Sequence, residues 1–100
     1  MVGKIHKLEQ AIVQILNLDG WQLKWTGEGS QSWDAEGLTP KGKECVIEMK
    51  FRNKHYDTKM LEQFKYDKLI ATGKVALYFV NDPKANYLFW LNDIELPTPV

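Results

Sequence analysis

Cysteine, histidine and proline are scarce in this chain of 100 residues, which has one, two and four of them. A lone Cys45 forms no internal disulfide, so a reducing, cytoplasmic setting is expected. One cysteine and two histidines are too few nitrogen and sulfur ligands for a structural zinc site, and any metal would have to be held by oxygen. Net charge is also missing: 13 basic residues face 13 acidic ones. That balance argues against a highly basic, non-specific nucleic-acid binder. No apolar run approaches the roughly 18 residues of a membrane span, and the first residues lack the apolar stretch of a secretory signal. No membrane role is expected. Aromatic residues, in contrast, are plentiful, with four each of Trp, Tyr and Phe. Such a chain can build a core, which excludes disorder as its main state.

No repeat or linker divides the sequence, and residues 1–100 read as a single domain. From Lys4 to Leu18, apolar Ile5, Leu8, Ile12, Ile15 and Leu16 recur at helical steps, and Asp19-Gly20 ends the pattern. Trp21 to Trp25 alternates like a half-buried strand. Trp33–Leu38 and Glu44–Phe51 read as a hairpin, because Thr39-Pro40-Lys41-Gly42-Lys43 between them suits a tight turn. A second helix is expected from a cap at Asp57 or Thr58 to about Thr72, stopped by Gly73. Val75–Val80 is apolar on both faces, as in an interior strand, and Tyr87–Leu91 is the last strand. The order is αβββαββ. The helical segment between the third and fourth strands is long enough for a crossover, so those two should be parallel and the other neighbours antiparallel. The expected architecture is α/β, one mixed sheet flanked by helices.

The chemistry sits on the third strand. Alternation sends Cys45, Ile47, Met49 and Phe51 toward one core and Val46, Glu48 and Lys50 to the other face. A carboxylate and an ammonium therefore stand side by side. The preceding strand carries Asp34 and Glu36 with the same alternation, and closing the hairpin can bring Asp34 near Glu48. Two carboxylates beside a lysine suit phosphodiester hydrolysis. A hard divalent cation prefers oxygen ligands, polarises a phosphoryl oxygen and acidifies water, and the Met49 carbonyl can add a ligand. Lys50 can orient the water and offset charge that builds up on phosphate.

At these residues the chain resembles the PD-(D/E)XK nuclease superfamily. Asp34 near a turn is followed by Glu48-Met49-Lys50 on the next strand, and the element order is similar to that superfamily's restriction-endonuclease-like core. The resemblance spans about Glu9 to Val80. It implies that Asp34 and Glu48 bind Mg²⁺ or Mn²⁺ and that Lys50 assists the attacking water. It also implies a glutamate from the first helix, for which Glu9 is the candidate, and supporting polar residues on the second helix, for which Gln63 and Tyr66 are candidates. Two details depart from the pattern. Trp33 rather than proline precedes Asp34, and Gln63 and Tyr66 lie three apart rather than four. Small members of this type include phage-encoded junction resolvases and virus-type replication-repair nuclease modules. The implied activity is that of a metal-dependent endodeoxyribonuclease, phage-encoded and acting on linear or branched DNA. The alternative is a catalytically inactive module of the same fold that binds nucleic acid or protein.

Plainer readings stand beside these. Glu48 and Lys50 can be a solvated strand face with an ion pair worth about 0–1 kcal/mol. Glu36 is as well explained by a surface acid as by a metal ligand, and Gln63 and Tyr66 by a helix–sheet contact. Cys45 reads as a core thiol, His6 and His55 as surface residues, and the tryptophans as core rather than stacking platforms, with Trp33 the candidate for a DNA contact. From Lys41 to Lys68 eight basic residues face five acidic ones. Lys41, Lys43, Arg52, Lys54 and Lys59 are the expected phosphate contacts. A homodimer is expected, because Tyr87, Phe89 and Trp90 exceed what a small core buries and two sites match the two strands of a duplex.

Overall fold

The computed structural model describes residues 2–29, 33–55 and 61–93. Helix α1 (Val2–Leu18) is followed by strands β1 (Gln22–Trp25), β2 (Ala35–Leu38) and β3 (Glu44–Phe51), helix α2 (Gln63–Ala71), strands β4 (Val75–Asn81) and β5 (Asn86–Trp90), and a 3₁₀ turn at Leu91–Asp93. The five strands form one sheet in the order β1-β2-β3-β4-β5. Only β3 and β4 run parallel, with Cys45 opposite Val75 and Phe51 opposite Asn81. The remaining neighbours are antiparallel. This is the mixed sheet and the αβββαββ order expected from the sequence.

The helices cover opposite faces. On the α1 side, Val13, Trp21, Leu23, Ala35, Cys45, Ile47, Met49, Leu77 and Phe79 make one core. On the α2 side, Val46, Leu69, Ala76, Tyr78, Val80 and Leu91 make another. The second core explains why β4 is apolar on both faces, and it corrects one expectation. The Val46–Glu48 face of β3 is not solvated: Val46 is fully buried and Glu48 is 7% exposed.

Local chemistry fixes the joints. The amides of Asp19 and Trp21 both donate to the Leu16 carbonyl at the end of α1, and Gly20 takes the left-handed conformation there (φ 96°). The Asn17 side chain then accepts from the Leu23 amide at 2.7 Å and donates to the Leu23 carbonyl at 3.0 Å, tying helix to strand. The β2–β3 turn closes through the Thr39 amide on the Lys43 carbonyl and the Gly42 amide on the Thr39 carbonyl.

Helix α2 starts later than the sequence pattern suggests. Glu62 is extended (ψ 140°) and the helix begins at Gln63. The caps proposed at Asp57 and Thr58 lie outside the described residues, as does Lys59. Among the described residues no helix is long and apolar enough to cross a membrane.

Candidate active site

Asp34 lies just ahead of β2. Its amide donates to the Ile47 carbonyl at 2.9 Å and its carbonyl accepts from the Thr26 amide at 2.8 Å, so its backbone is held from both neighbouring strands. The β2–β3 register pairs Ala35 with Ile47. One step further along it, Asp34 comes level with Glu48. The Asp34 carboxylate accepts from the Met49 amide through Oδ2 at 2.8 Å. The hairpin thus brings Asp34 and Glu48 together as their alternation suggested.

Glu48 lies under α2, where Oε2 accepts from Lys65 Nζ at 3.3 Å. Lys65 also reaches Glu62 Oε2 at 3.5 Å. On the other face, Glu9 is 6% exposed, and its Oε1 accepts from the Trp25 indole at 2.9 Å. Gly27 makes this approach possible, since a Cβ there would lie 2.7 Å from both Glu9 Oε1 and Trp25 Nε1.

The electrostatics link the three acids. Burial pushes Glu48 up to about 7, and the nearby Asp34 charge adds to the rise while Lys65 opposes it. Burial also raises Asp34, against the lowering effect of the Met49 amide and of Lys65, His6 and Lys50. Glu9 is raised by burial and by Asp34, although the Trp25 bond pulls it down. Burial alone would lower Lys65, but Glu48 and Glu62 together raise it. The charge of Asp34 is therefore felt by Glu48 on one side and by Glu9 on the other, and the protein's own cations leave all three carboxylates short of compensation.

No group of three or more His, Cys, Asp or Glu stands in metal-holding geometry among the described residues. The donor set nevertheless suits a hard cation: Asp34, Glu48 and Glu9 supply only oxygen, and their raised affinity for protons marks a place where added positive charge is favourable. Lys50, half-buried, is close enough to influence Asp34.

The other residues singled out in the sequence divide. Gln63 is exposed and donates to Asp67 at 2.9 Å, and Tyr66 packs on the α2-side core. Arg52 bonds the Tyr78 hydroxyl just past the end of β3, and exposed Lys54 follows it. Lys41 and Lys43 lie in the turn at the opposite end of β3, with Lys43 roughly 17 Å from Glu48 at strand spacing. Trp33 is partly buried against the α2-side core, with its indole donating to Glu36 at 2.9 Å. The histidines are not simple surface residues. His6 meets the Trp25 ring edge-on at 5.1 Å, and His55 Nδ1 lies 2.8 Å from the buried Asp82 carboxylate.

Lys65 was missed by sequence reasoning. Its signal was present, because it precedes the fully buried Leu69 by one helical turn and so falls on the core-facing side of α2.

The chain is similar in structure to Hjc of Archaeoglobus fulgidus, a Holliday junction resolvase from an archaeal hyperthermophile. The TM-score is 0.70 at 18% sequence identity, over 91% of this chain and 75% of that one. At that identity the likeness is one of fold, and the restriction-endonuclease-like fold implied by the sequence resemblance is the fold observed. No protein-family profile matches the sequence, and no curated protein matches it.

Proposed function

We propose that this chain is a divalent-metal-dependent endonuclease that hydrolyses phosphodiester bonds in DNA, branched DNA included. The observation that carries the reading is the meeting of Asp34 and Glu48 across β2 and β3, both with raised pKa values, on a fold shared with a junction resolvase. Asp34 and Glu48 would hold Mg²⁺ or Mn²⁺, with the Met49 carbonyl and Glu9 as further oxygen donors. When bound, such an ion polarises the phosphoryl oxygens and supplies charge against the transition state. The Met49 amide fixes the Asp34 carboxylate. Lys50 orients the attacking water and meets the charge that develops on phosphate. Lys65, 3.3 Å from Glu48 Oε2, partly offsets that carboxylate and would have to release it for Glu48 to serve as an oxygen donor. Arg52 and Lys54, past the C-terminal end of β3, contact phosphates and position the substrate without reading bases. Residues 1–100 act as one domain, and two copies in a two-fold dimer would present one site to each strand.

A second reading, a catalytically inactive module that binds nucleic acid or protein, is favoured by one observation. Lys65 already occupies the Glu48 carboxylate, and no three-ligand cluster is assembled among the described residues. One experiment separates the two. Labelled four-way junction and linear duplex are incubated with Mg²⁺ or a chelator, using wild type, Asp34→Asn and Glu48→Gln, with circular dichroism to monitor folding. The nuclease reading expects cleavage by wild type in Mg²⁺ alone and none by folded variants. Uncut DNA with wild type, or wild-type rates in both variants, sinks it.

A further inference from the structure

The end of the sheet away from Asp34 holds a cleft of about 610 Å³ that the proposed chemistry does not use. Three lysines line it: Lys41 and Lys43 from the β2–β3 turn, and Lys74 from the turn ahead of β4. Asp93 is the acid in the lining, so three lysines and one carboxylate residue line the cleft. Two indoles share the cleft. Trp21, 7% exposed and part of the α1-side core, lies 6.0 Å from Trp90 between ring centroids. Trp90, on edge strand β5, remains 41% exposed.

The walls are built independently of any ligand. On one side the Thr39 amide donates to the Lys43 carbonyl at 2.8 Å, and the Lys43 amide donates to Thr39 Oγ1 at 3.2 Å. On the other side Asn92 accepts from the Ala76 amide at 2.7 Å and donates to the Lys74 carbonyl at 3.3 Å. The volume falls within the roughly 300–1,000 Å³ of small-molecule sites.

We infer that this cleft is a subsite for an unpaired nucleotide, with the base on Trp90 and the phosphate on Lys41, Lys43 and Lys74. A bare anion would use the lysines but leave the indole without a partner, and an apolar ligand would do the reverse. A nucleotide joins a flat π-face to an anion, which is the pair of features the cleft offers. A base inside a duplex already has both faces stacked and cannot present one to Trp90. The subsite therefore selects a nucleotide freed at a branch, flap or gap. Lys43, just ahead of β3, is five positions from Glu48, roughly 17 Å at strand spacing, so the cleft stands apart from the Asp34–Glu48 pair. The inference rests on the reading of the chain as a nucleic-acid enzyme and adds the structural feature of the substrate that it recognises.

The test is binding in a chelator, where no cleavage occurs. A short oligothymidylate is titrated against the full chain and followed by indole fluorescence, with thymidine monophosphate and inorganic phosphate as competitors. Wild type should bind with quenching. Trp90→Leu should weaken binding by roughly 5- to 160-fold, the range for loss of one stacked base. Lys43→Ser should lower the salt slope by about 0.7. Thymidine monophosphate should compete better than inorganic phosphate. Should Trp90→Leu fail to fold by circular dichroism, Lys41→Glu combined with Lys43→Glu in the exposed turn carries the test, with loss of binding expected.

No binding by wild type, equal affinity in the variants, or equal competition by the two small ligands overturns the inference. Trp90-dependent binding in a chain that never cuts DNA supports it and removes the nuclease reading alone. Cleavage that depends on Asp34, with oligonucleotide binding indifferent to Trp90, does the opposite.

Discussion

Glu48 holds its proton more tightly in the folded chain than in the unfolded one, with a pKa of about 7 against an ordinary 4.5. Glu48's contribution to stability is therefore fully present below about pH 4.5 and is lost as the pH rises through about 7. The shift corresponds to about 3 kcal/mol at most. Urea denaturation of metal-free protein should show stability falling across that interval, and Glu48→Gln should flatten the fall. Carboxyl-carbon NMR should place the Glu48 midpoint near 7, and a midpoint near 4.5 would contradict its burial. Lys50 tests a different atom. Lys50→Ala leaves the proposed oxygen donors in place, so single-turnover cleavage should slow by ~10²–10⁴ while DNA affinity changes little. Collapsed affinity with an unchanged single-turnover rate would make Lys50 a phosphate contact only. The nearness of Asp34 and Glu48 could be read from the sequence because a two-residue period and the tight turn after Leu38 put them on one face of a closing hairpin. The Glu48–Lys65 pair could not, because it depends on how α2 crosses the sheet, and the alternation of β3 says nothing about what covers a face.

Elements were easier to read than the joints between them. The apolar content of β4 announced an interior strand, and the long segment before it announced a parallel neighbour. The late start of α2 was hidden, because Met60, Leu61 and Glu62 are good helix formers by type and the extended backbone of Glu62 leaves no trace in the sequence. Gly37 was also silent in the sequence. It pairs with Leu23 and with Cys45 in the middle of the sheet, and a Cβ there would run into the Gln22 carbonyl oxygen of β1. Gly37→Ala should therefore force β1 away from β2 and cost roughly 1–3 kcal/mol or more, the range for overpacking. The shift in the urea midpoint measures it. Gly42→Ala, in open space but at φ 81°, should cost less.

At the scale of the molecule, the described basic residues expected to meet phosphate belong to two places rather than one. Arg52 and Lys54 follow the C-terminal end of β3, whereas Lys41 and Lys43 precede its start. Net charge and local charge counts are one-dimensional and could not separate them. On linear duplex, Lys54→Ala should reduce the salt slope of binding by about one unit. Unchanged slopes would remove Lys54 from the phosphate contacts. The proposed dimer is tested by light scattering at micromolar concentration with and without a four-way junction. A monomer in both conditions, nicking one strand only, would sink it.

The single thiol offers a way to watch the whole fold open. Cys45 is fully buried at the head of the central parallel pair, and burial pushes its thiol up to about 11. At neutral pH almost none of it is the reactive thiolate, and reagents cannot reach it while β3 lies between β2 and β4. Alkylation must therefore wait for the sheet to come apart. The labelling rate becomes a clock for global opening, readable by mass spectrometry without an engineered probe. A ligand that binds the folded chain at either end of the sheet should slow that clock in proportion to its occupancy.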